Sequence, residues 1–381
     1  MRIVLAIDSF KGNFTSAQAE DLAEKGIRRV YPDAQIEKIP VADGGEGTTE
    51  AMVTAMKGKF LTAEVMDPLF RPVTARYGVV GNGVAVMEMA AASGIELLKT
   101  EELNPLKTST YGTGQMVLAA LDQGCRQIIL GIGGSATNDG GFGFLSAVGI
   151  RFYDQEGALL RPEEAVGGNL EKISAVDASH VDPRLRDVDF SIACDVTNPL
   201  CGPAGASAVF GPQKGASPDV VERLDSALSH YDALLTQVTG RQIGQQPGMG
   251  AAGGLGYGIS QFFRARMRRG VELVLDTLGL EERVRTCDIV VTGEGRIDSQ
   301  TAYGKLPAGV AACAKRYGKP VFALCGYEKR GSGNIYSCGI DEIVSAIYSP
   351  GSNEEAIAAS REDLPRAAER LFRIIRAVCP Q

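Results

Sequence analysis

The sequence predicts an α/β protein. Three observations carry this prediction: short apolar runs alternate with helical patterns, Gly-bearing turns follow the apolar runs, and the chain is 381 residues long. Apolar strands followed by amphipathic helices are typical of parallel sheets covered by helices. Domains commonly hold about 100 to 200 residues, so the length favours two of them.

The alternation is most regular at the two ends of the chain. Strand patterns lie at residues 2–7, 35–41, 289–292, 320–325 and 342–346. Helical patterns lie at residues 16–29, 46–56, 305–317 and from 354 onward. Five strands with intervening helices predict a Rossmann- or flavodoxin-like, doubly wound parallel sheet.

The middle of the chain has longer loops and Gly-rich passages around extended candidates at residues 73–80, 84–89, 127–130 and 188–193. We interpret it as a second α/β domain inserted into the first. The predicted boundaries are 1–66 with 286–381 for the discontinuous Rossmann-like domain, and 67–285 for the insertion. Because ligand sites are common between domains, we expect the active site in a cleft there.

Charge and hydropathy exclude several classes of protein. The net charge of −7 gives no sequence-wide attraction for nucleic acid or an anionic membrane. No apolar stretch approaches the roughly 20 residues of a membrane span, and residues 3–7 are too few for a signal-peptide core. We therefore expect a cytoplasmic protein that binds neither nucleic acid nor membrane.

Two further residue groups are interpreted as structural. The eight cysteines form no CxxC pair, and with two histidines the chain shows no zinc-ligand spacing, so we expect reduced, mostly buried thiols. A basic cluster is interpreted as a solvent-facing helical surface: Arg264, Arg266, Arg268 and Arg269.

The most informative motif is GIGGSATNDGG at residues 131–141, which follows an apolar strand candidate. Uncrowded amides at the end of a strand suit an anionic ligand. The same residues also fit a dinucleotide fingerprint through Gly131, Gly133 and Ala136, with Asp154 as a ribose-binding acid. The Gly-rich continuation makes a poor first helical turn, which favours a phosphate-binding loop with a later helix.

Familiar kinase and hydrolase signatures are absent from the sequence. It contains no GxxxxGK[ST] string, no HRD and DFG pair and no GxSxG elbow. Basic candidates in or after Gly turns are Lys11, Lys214, Arg296 and Lys305. Carboxylates that follow apolar runs or Gly turns, where they can hold Mg²⁺, accept a proton or cap a helix, are Asp8, Asp43, Asp139, Asp195, Glu294 and Asp298.

At these residues the chain resembles the glycerate kinase family, specifically its bacterial type I members. The resemblance spans nearly the whole chain in order. The motifs that carry it are IDSFKG, VADGGEGT, EMAAASG, TSTYGTGQ, GIGGSATNDGG, ACDVTNPL, FGPQKGA, GAAGGLG and TGEGRIDSQT.

The resemblance implies ATP-dependent phosphorylation of D-glycerate to 2-phosphoglycerate, with Mg²⁺. A consistent mechanism assigns Asp195 as the carboxylate facing the glycerate hydroxyl, and Lys11 and Arg296 as charge stabilisers. Glu294 or Asp298 would lie near the metal. Candidate substrate- or ATP-binding residues are Asp8, Ser9, Asp43, Gly44, Gly45, Gly133, Gly134, Ser135, Asn138, Asp139 and Lys214.

Some alternatives stay open at this point. An NAD(P)-dependent oxidoreductase and a non-catalytic hydroxy-acid binding protein are alternative functions. The sequence does not say which Gly-rich turn binds ATP and which binds glycerate, and it leaves a homodimer open.

Overall fold

A computed structural model describes residues 1–10, 12–42, 47–303, 305–348 and 352–378. Its strands are β1 Arg2–Ile7, β2 Gln35–Lys38, β3 Lys59–Met66, β4 Pro72–Val80, β5 Val84–Glu88, β6 Gln127–Gly131, β7 Arg151–Tyr153, β8 Ala175–Asp177, β9 Asp189–Ala193, β10 Arg264–Arg268, β11 Ile289–Ile297, β12 Val321–Glu328 and β13 Glu342–Ser345. Its α-helices are α1 Ser16–Arg28, α2 Thr48–Ala55, α3 Ala90–Ser93, α4 Tyr111–Asp122, α5 Phe142–Ala147, α6 Ala206–Phe210, α7 Pro218–Thr239, α8 Leu255–Phe262, α9 Gly270–Thr277, α10 Leu280–Thr286, α11 Leu306–Lys315 and α12 Asn353–Val378. The predicted α/β class is confirmed.

The chain forms two compact units. Unit 1 comprises Met1–Asp43, Glu50–Met56 and Val271–Gln381, and unit 2 comprises Gly44–Thr49 and Lys57–Gly270. Three stretches therefore differ from the predicted boundaries, and the first of them is residues 44–49, which belong to unit 2. Residues 57–66 belong to unit 2, where β3 pairs with β4, and residues 271–285 belong to unit 1, where α10 packs against α11.

Unit 1 contains one parallel five-stranded sheet in the order β13-β12-β11-β1-β2. The five predicted strands are all present. In β1 every residue from Ile3 to Ile7 is buried, as expected for a parallel strand covered on both faces. Helices α1 and α12 supply part of that cover. They approach each other so closely that a Cβ on Gly26 would come within 2.1 Å of the Pro365 carbonyl oxygen, so only glycine fits there.

Unit 2 contains a six-stranded sheet in the order β10-β9-β6-β5-β4-β3. Strands β10, β9, β6 and β5 are parallel, whereas β4 is antiparallel to both β5 and β3. The parallel strands bring the segments that follow β5, β6 and β9 to one edge of the sheet. That edge carries the Gly-rich loop and Asp195.

The arginine cluster is the clearest error of the sequence interpretation. Residues 264–268 form the edge strand β10 and not a helical face. Arg264, Arg266 and Arg268 recur every second residue, which is the strand period. Charges along an edge strand discourage pairing with another chain.

Two composition-based expectations can be compared with the structure. The seven cysteines in the described ranges are unpaired, and five of them are buried, in agreement with the prediction. Within the same ranges, no helix combines the length and the apolar character that a membrane crossing requires.

Candidate active site

In unit 1 the predicted residues gather at the carboxyl ends of β1 and β11. Asp8 directly follows β1 and is 9% exposed; its amide donates to the Gly293 carbonyl at 2.9 Å. Its Oδ1 accepts the Ser9 amide at 2.7 Å. Strand β11 extends five residues beyond the predicted end, so Glu294 and Arg296 lie on the strand itself.

Oppositely charged side chains surround the end of β11. The Thr301 hydroxyl donates to Glu294 Oε1 at 2.6 Å, and Lys305 Nζ lies 3.7 Å from Glu294 Oε2. Lys305 Nζ also lies 4.0 Å from Asp298 Oδ1, and Arg296 Nη2 lies 3.3 Å from Asp298 Oδ2. The structure thus brings together three predicted site residues and Lys305, and it adds Thr301.

Both carboxylates are largely buried, whereas the cations are more exposed. Glu294 and Asp298 are 8% and 6% exposed, while the side chains of Lys305 and Arg296 are 34% and 63% exposed. Arg296 is the more exposed of the two cations. Its charge is available to a ligand.

Some predictions cannot be placed. Lys11, Asp43, Gly44 and Gly45 lie outside the described residues. Their proposed roles stay predictions.

Behind Asp8, a support that the sequence interpretation missed is built from the first turns of α1. Ser16 Oγ donates to the Ile7 carbonyl at 2.5 Å and accepts the Val41 amide at 2.8 Å. Fully buried Glu20 accepts the Ile7 amide at 3.4 Å, and burial raises the pKa of this carboxyl well above its usual range. These two side chains tie the segment after β2 to the end of β1.

In unit 2 the Gly-rich loop follows β6 as predicted, and α5 begins only at Phe142. Gly133 and Gly134 are exposed, and Gly134 has φ +70°. The backbone amides of Gly133, Gly134 and Ser135 donate a hydrogen bond to none of the other described residues. Successive unpaired amides of this kind form an anion-binding concavity.

Asp139 is held within the protein by several hydrogen bonds, and its predicted ligand contact stays a prediction. It is fully buried, and its Oδ2 accepts the Thr110 amide and hydroxyl, both at 2.8 Å, and the Gly143 amide at 3.1 Å. Its Oδ1 accepts the Gly141 amide at 3.2 Å. Burial raises the pKa of Asp139, and these hydrogen bonds oppose the rise. The carboxylate holds the starts of α4 and α5 together.

Asn138 and Lys214 also lie behind the loop. Asn138 is fully buried and its Nδ2 donates to Ser207 Oγ at 2.9 Å. Lys214 is 1% exposed and its Nζ donates to the Thr137 carbonyl at 2.6 Å. Desolvation lowers the pKa of Lys214 to about 7, although nearby Asp139 acts in the opposite direction. Neither side chain faces solvent, and their predicted contact with a ligand stays a prediction.

Asp195 has a different setting from these buried groups. It follows β9, is exposed, and its Oδ1 accepts the Gly270 amide at 3.0 Å. Gly131 on β6 pairs with Ala193 on β9, so Gly133 and Asp195 each lie two residues beyond a paired position on neighbouring strands. The acidic side chain and the unpaired amides therefore lie at the same edge of the sheet.

Two further observations concern other possible binding sites for a ligand or a metal ion. A cavity of about 420 Å³ in unit 1 is lined by Arg2 and Gln35, at the amino ends of β1 and β2, and by Arg28 of α1 and Arg283 of α10. It lies at the end of the strands opposite to the candidate site. In the described ranges, no cluster of three or more His, Cys, Asp or Glu side chains could hold a metal ion by itself.

Fold and site together define an α/β protein equipped for phosphoryl chemistry: carboxylates, cations and unpaired amides lie at the carboxyl ends of parallel strands. The sequence matches the Glycerate kinase family over residues 3–376. The chain therefore belongs to the glycerate kinase family.

Individual relatives match over nearly the whole chain. It is 47% identical over 370 residues to a glycerate kinase of Halalkalibacterium halodurans, with 97% of each protein covered. It is 44% identical over 372 residues to the glycerate 2-kinase of Escherichia coli, again with 97% of each covered. A crystal structure described as a glycerate kinase 2 from Salmonella typhimurium LT2 superposes with a TM-score of 0.91 at 44% identity and covers 99% of both chains.

Proposed function

We propose that this chain transfers the γ-phosphoryl group of ATP to D-glycerate and yields 2-phosphoglycerate and ADP. The observation that carries the proposal is the 44% identity to a glycerate 2-kinase across 97% of both proteins. The oxidoreductase alternative finds no support among these relatives. The late start of α5 also removes the helix that a dinucleotide fingerprint would open.

Phosphoryl transfer depends on positioning and on charge stabilisation. We assign Asp195 as the base that accepts the proton of the glycerate hydroxyl. Arg296, with Lys305 beside it and Lys11 as predicted, stabilises negative charge on the transferring group. The unpaired amides of residues 133–135 hold an anionic group of a substrate.

Mg²⁺ belongs to the same proposal. Mg²⁺ is commonly bound by one or two carboxylates together with substrate phosphates, so a full protein cage is not required. Glu294 and Asp298 fit this pattern because they lie close to each other at one strand end. Each has a carboxylate oxygen within 4.0 Å of the same atom, Lys305 Nζ. When bound, the ion would neutralise phosphate charge. Glu294→Gln should raise the Mg²⁺ concentration needed for half-maximal activity, whereas Glu281→Gln in α10 should not.

The reaction is tested by coupling it to enolase. With Mg·ATP and D-glycerate, product should reach enolase without added phosphoglycerate mutase. A requirement for mutase would show that the 3-position is phosphorylated, and ADP release with L-glycerate alone would contradict the substrate assignment. Glycerate binding without ADP production would favour the non-catalytic binding protein. A homodimer and a cytoplasmic location stay predictions, to be tested by light scattering and by cell fractionation.

A further inference from the structure

The loop at residues 131–141 has two faces with opposite character. Gly133 and Gly134 on the outer face are exposed, whereas Thr137, Asn138 and Asp139 on the inner face have no solvent exposure. A binding site made of main-chain amides depends on backbone shape, since no side chain can adjust to the ligand. Such a site needs rigid support from the residues behind it.

Lys214 supplies that support from a distant part of the chain. It ends the short 3₁₀ turn Pro212–Lys214, 77 residues away from the carbonyl that it holds. The following residue, Gly215, has φ +91°, and a Cβ there would come within 2.3 Å of the Leu103 carbonyl oxygen. The turn therefore packs closely against the segment around Leu103 in the same unit, and from this position Lys214 Nζ reaches the Thr137 carbonyl.

Stability of the fold does not explain why a lysine occupies this buried position. Burying an ammonium group costs free energy unless it is well paired, and apolar residues of similar volume often serve stability equally well. Within the described residues Lys214 donates one hydrogen bond, to the Thr137 carbonyl, and the Asp139 charge lies nearby. What an apolar side chain would lack is the donor that fixes one carbonyl of the loop.

The inner face also holds buried polar atoms that have no partner among the described residues. They include Thr137 Oγ1, Asn138 Oδ1 and the Tyr231 hydroxyl. Two of these atoms belong to the residue that Lys214 holds and to its neighbour. Some hydrogen-bonding groups of the inner face are thus unused. If the main chain of the loop shifted, Lys214 could donate to one of these oxygens and no longer to the Thr137 carbonyl.

We propose that Lys214 is a positioning residue, which acts through the Thr137 carbonyl to keep the amides of residues 133–135 in the shape that binds an anionic group of a substrate. The inference rests on the proposed function for the identity of that group. It is either a phosphate of ATP or the carboxylate of glycerate, and the two sources are separated by their Michaelis constants.

The test compares Lys214→Met with Lys172→Met, which removes an exposed lysine of the same unit. For Lys214→Met we expect the KM of one substrate to rise at least about tenfold while kcat changes by less than about threefold. A rise for ATP assigns the loop to phosphate, and a rise for D-glycerate assigns it to the carboxylate. Lys172→Met should match the natural protein.

Hydrogen exchange provides a readout that does not depend on activity. In Lys214→Met, exchange should become faster in peptides covering residues 131–141 and stay unchanged in peptides from the sheet of unit 1. Inorganic phosphate should slow exchange at residues 131–141 in the natural protein and have less effect in the variant.

The outcomes separate the two proposals. Unchanged KM values with unchanged exchange would overturn the positioning role. Failure of Lys214→Met to fold, while Lys172→Met folds, would also overturn it, because the lysine would then be a structural requirement. If the natural protein does not phosphorylate glycerate, the proposed function fails, and the exchange experiment still tests Lys214.

Discussion

The sheet edge of unit 1 and the sheet edge of unit 2 present different chemical groups. In unit 1 the edge presents charged side chains, chiefly Glu294, Arg296 and Lys305. In unit 2 it presents main-chain amides and Asp195, while Lys214 is buried behind the loop. Function in unit 1 should therefore depend on side-chain identity, and function in unit 2 largely on backbone shape. Substitutions in the two units should fail in different ways.

The largest effect is expected for Asp195→Asn, the side-chain exception in unit 2. An amide keeps the shape of the carboxylate and can still accept the Gly270 amide, but it cannot accept the hydroxyl proton. Turnover should fall about 10³-fold, within the usual range for loss of a general base, while both substrates still bind. Steady-state kinetics and calorimetry measure the two quantities.

The matched control for this variant is Asp189→Asn, at the amino end of the same strand, which should leave kcat unchanged. If Asp195→Asn retains kcat and only lowers the melting temperature, Asp195 is a structural residue. The base would then have to be sought among Asp8, Asp43 and Asp298.

Arg296→Ala should show how unit 1 fails. We expect kcat/KM to fall by about 10², as is typical when an electrostatic stabiliser of the transition state is removed. The melting temperature should hardly change, because the Arg296 side chain is 63% exposed and Asp298 keeps the Gln300 amide and Lys305 as neighbours when Arg296 is removed. Arg285→Ala, which removes another exposed, ion-paired arginine of unit 1, is the control. Equal kinetics for both variants would remove Arg296 from the mechanism.

A smaller effect separates two neighbouring glycines of the unit 2 loop. A Cβ on Gly133 meets nothing within 4 Å, so Gly133→Ala should fold normally and raise one KM by about tenfold, or about 1.4 kcal/mol of binding free energy. Gly134 has φ +70°, so Gly134→Ala should also lose about 1 to 2 kcal/mol of stability. Equal stability losses in urea unfolding would contradict this division.

The last expected effect is on the dependence of stability on pH and not on activity. The pKa of Lys214 is lowered to about 7 by burial, with Asp139 opposing and Tyr231 near the same carboxyl. Between about pH 7 and pH 10 the unfolded chain keeps the lysine proton that the folded chain has lost, so this group makes stability rise with pH. The slope is at most about 1.4 kcal/mol per pH unit.

Lys214→Met should lack that component. Urea unfolding followed by circular dichroism at pH 7, 8 and 9 would compare the two proteins. A constant difference in unfolding free energy across these values would show that Lys214 does not titrate in this window.

Most of the fold was predictable because it follows from local periodicity. The buried run Ile3–Ile7 and its parallel neighbours could be recognised from apolar character and Gly-bearing turns. Strand β10 was not predicted because its arginines were interpreted as a charged helical surface. Their spacing of two residues is that of a strand. Strand β3 alternates polar and apolar residues and was likewise overlooked.

The candidate site was predictable only in part. Carboxylates at strand ends, such as Glu294 and Asp298, could be found because a strand end is visible in the sequence. The support behind the loop could not, because Lys214 and Thr137 are 77 residues apart and their hydrogen bond exists only after folding. Burial also decides whether a polar residue meets a ligand or holds another residue, and sequence spacing does not report burial.

The length of β11 has a consequence for how this site tolerates change. Its pairing with β12 continues to Ile297, so Glu294 and Arg296 sit on a hydrogen-bonded strand and, two residues apart, share one of its faces. A substitution at either position removes one group and leaves the other in place. Inserting or deleting a single residue between them would turn one group to the opposite face. Over evolutionary time, this segment should therefore accept amino-acid substitutions more readily than insertions or deletions.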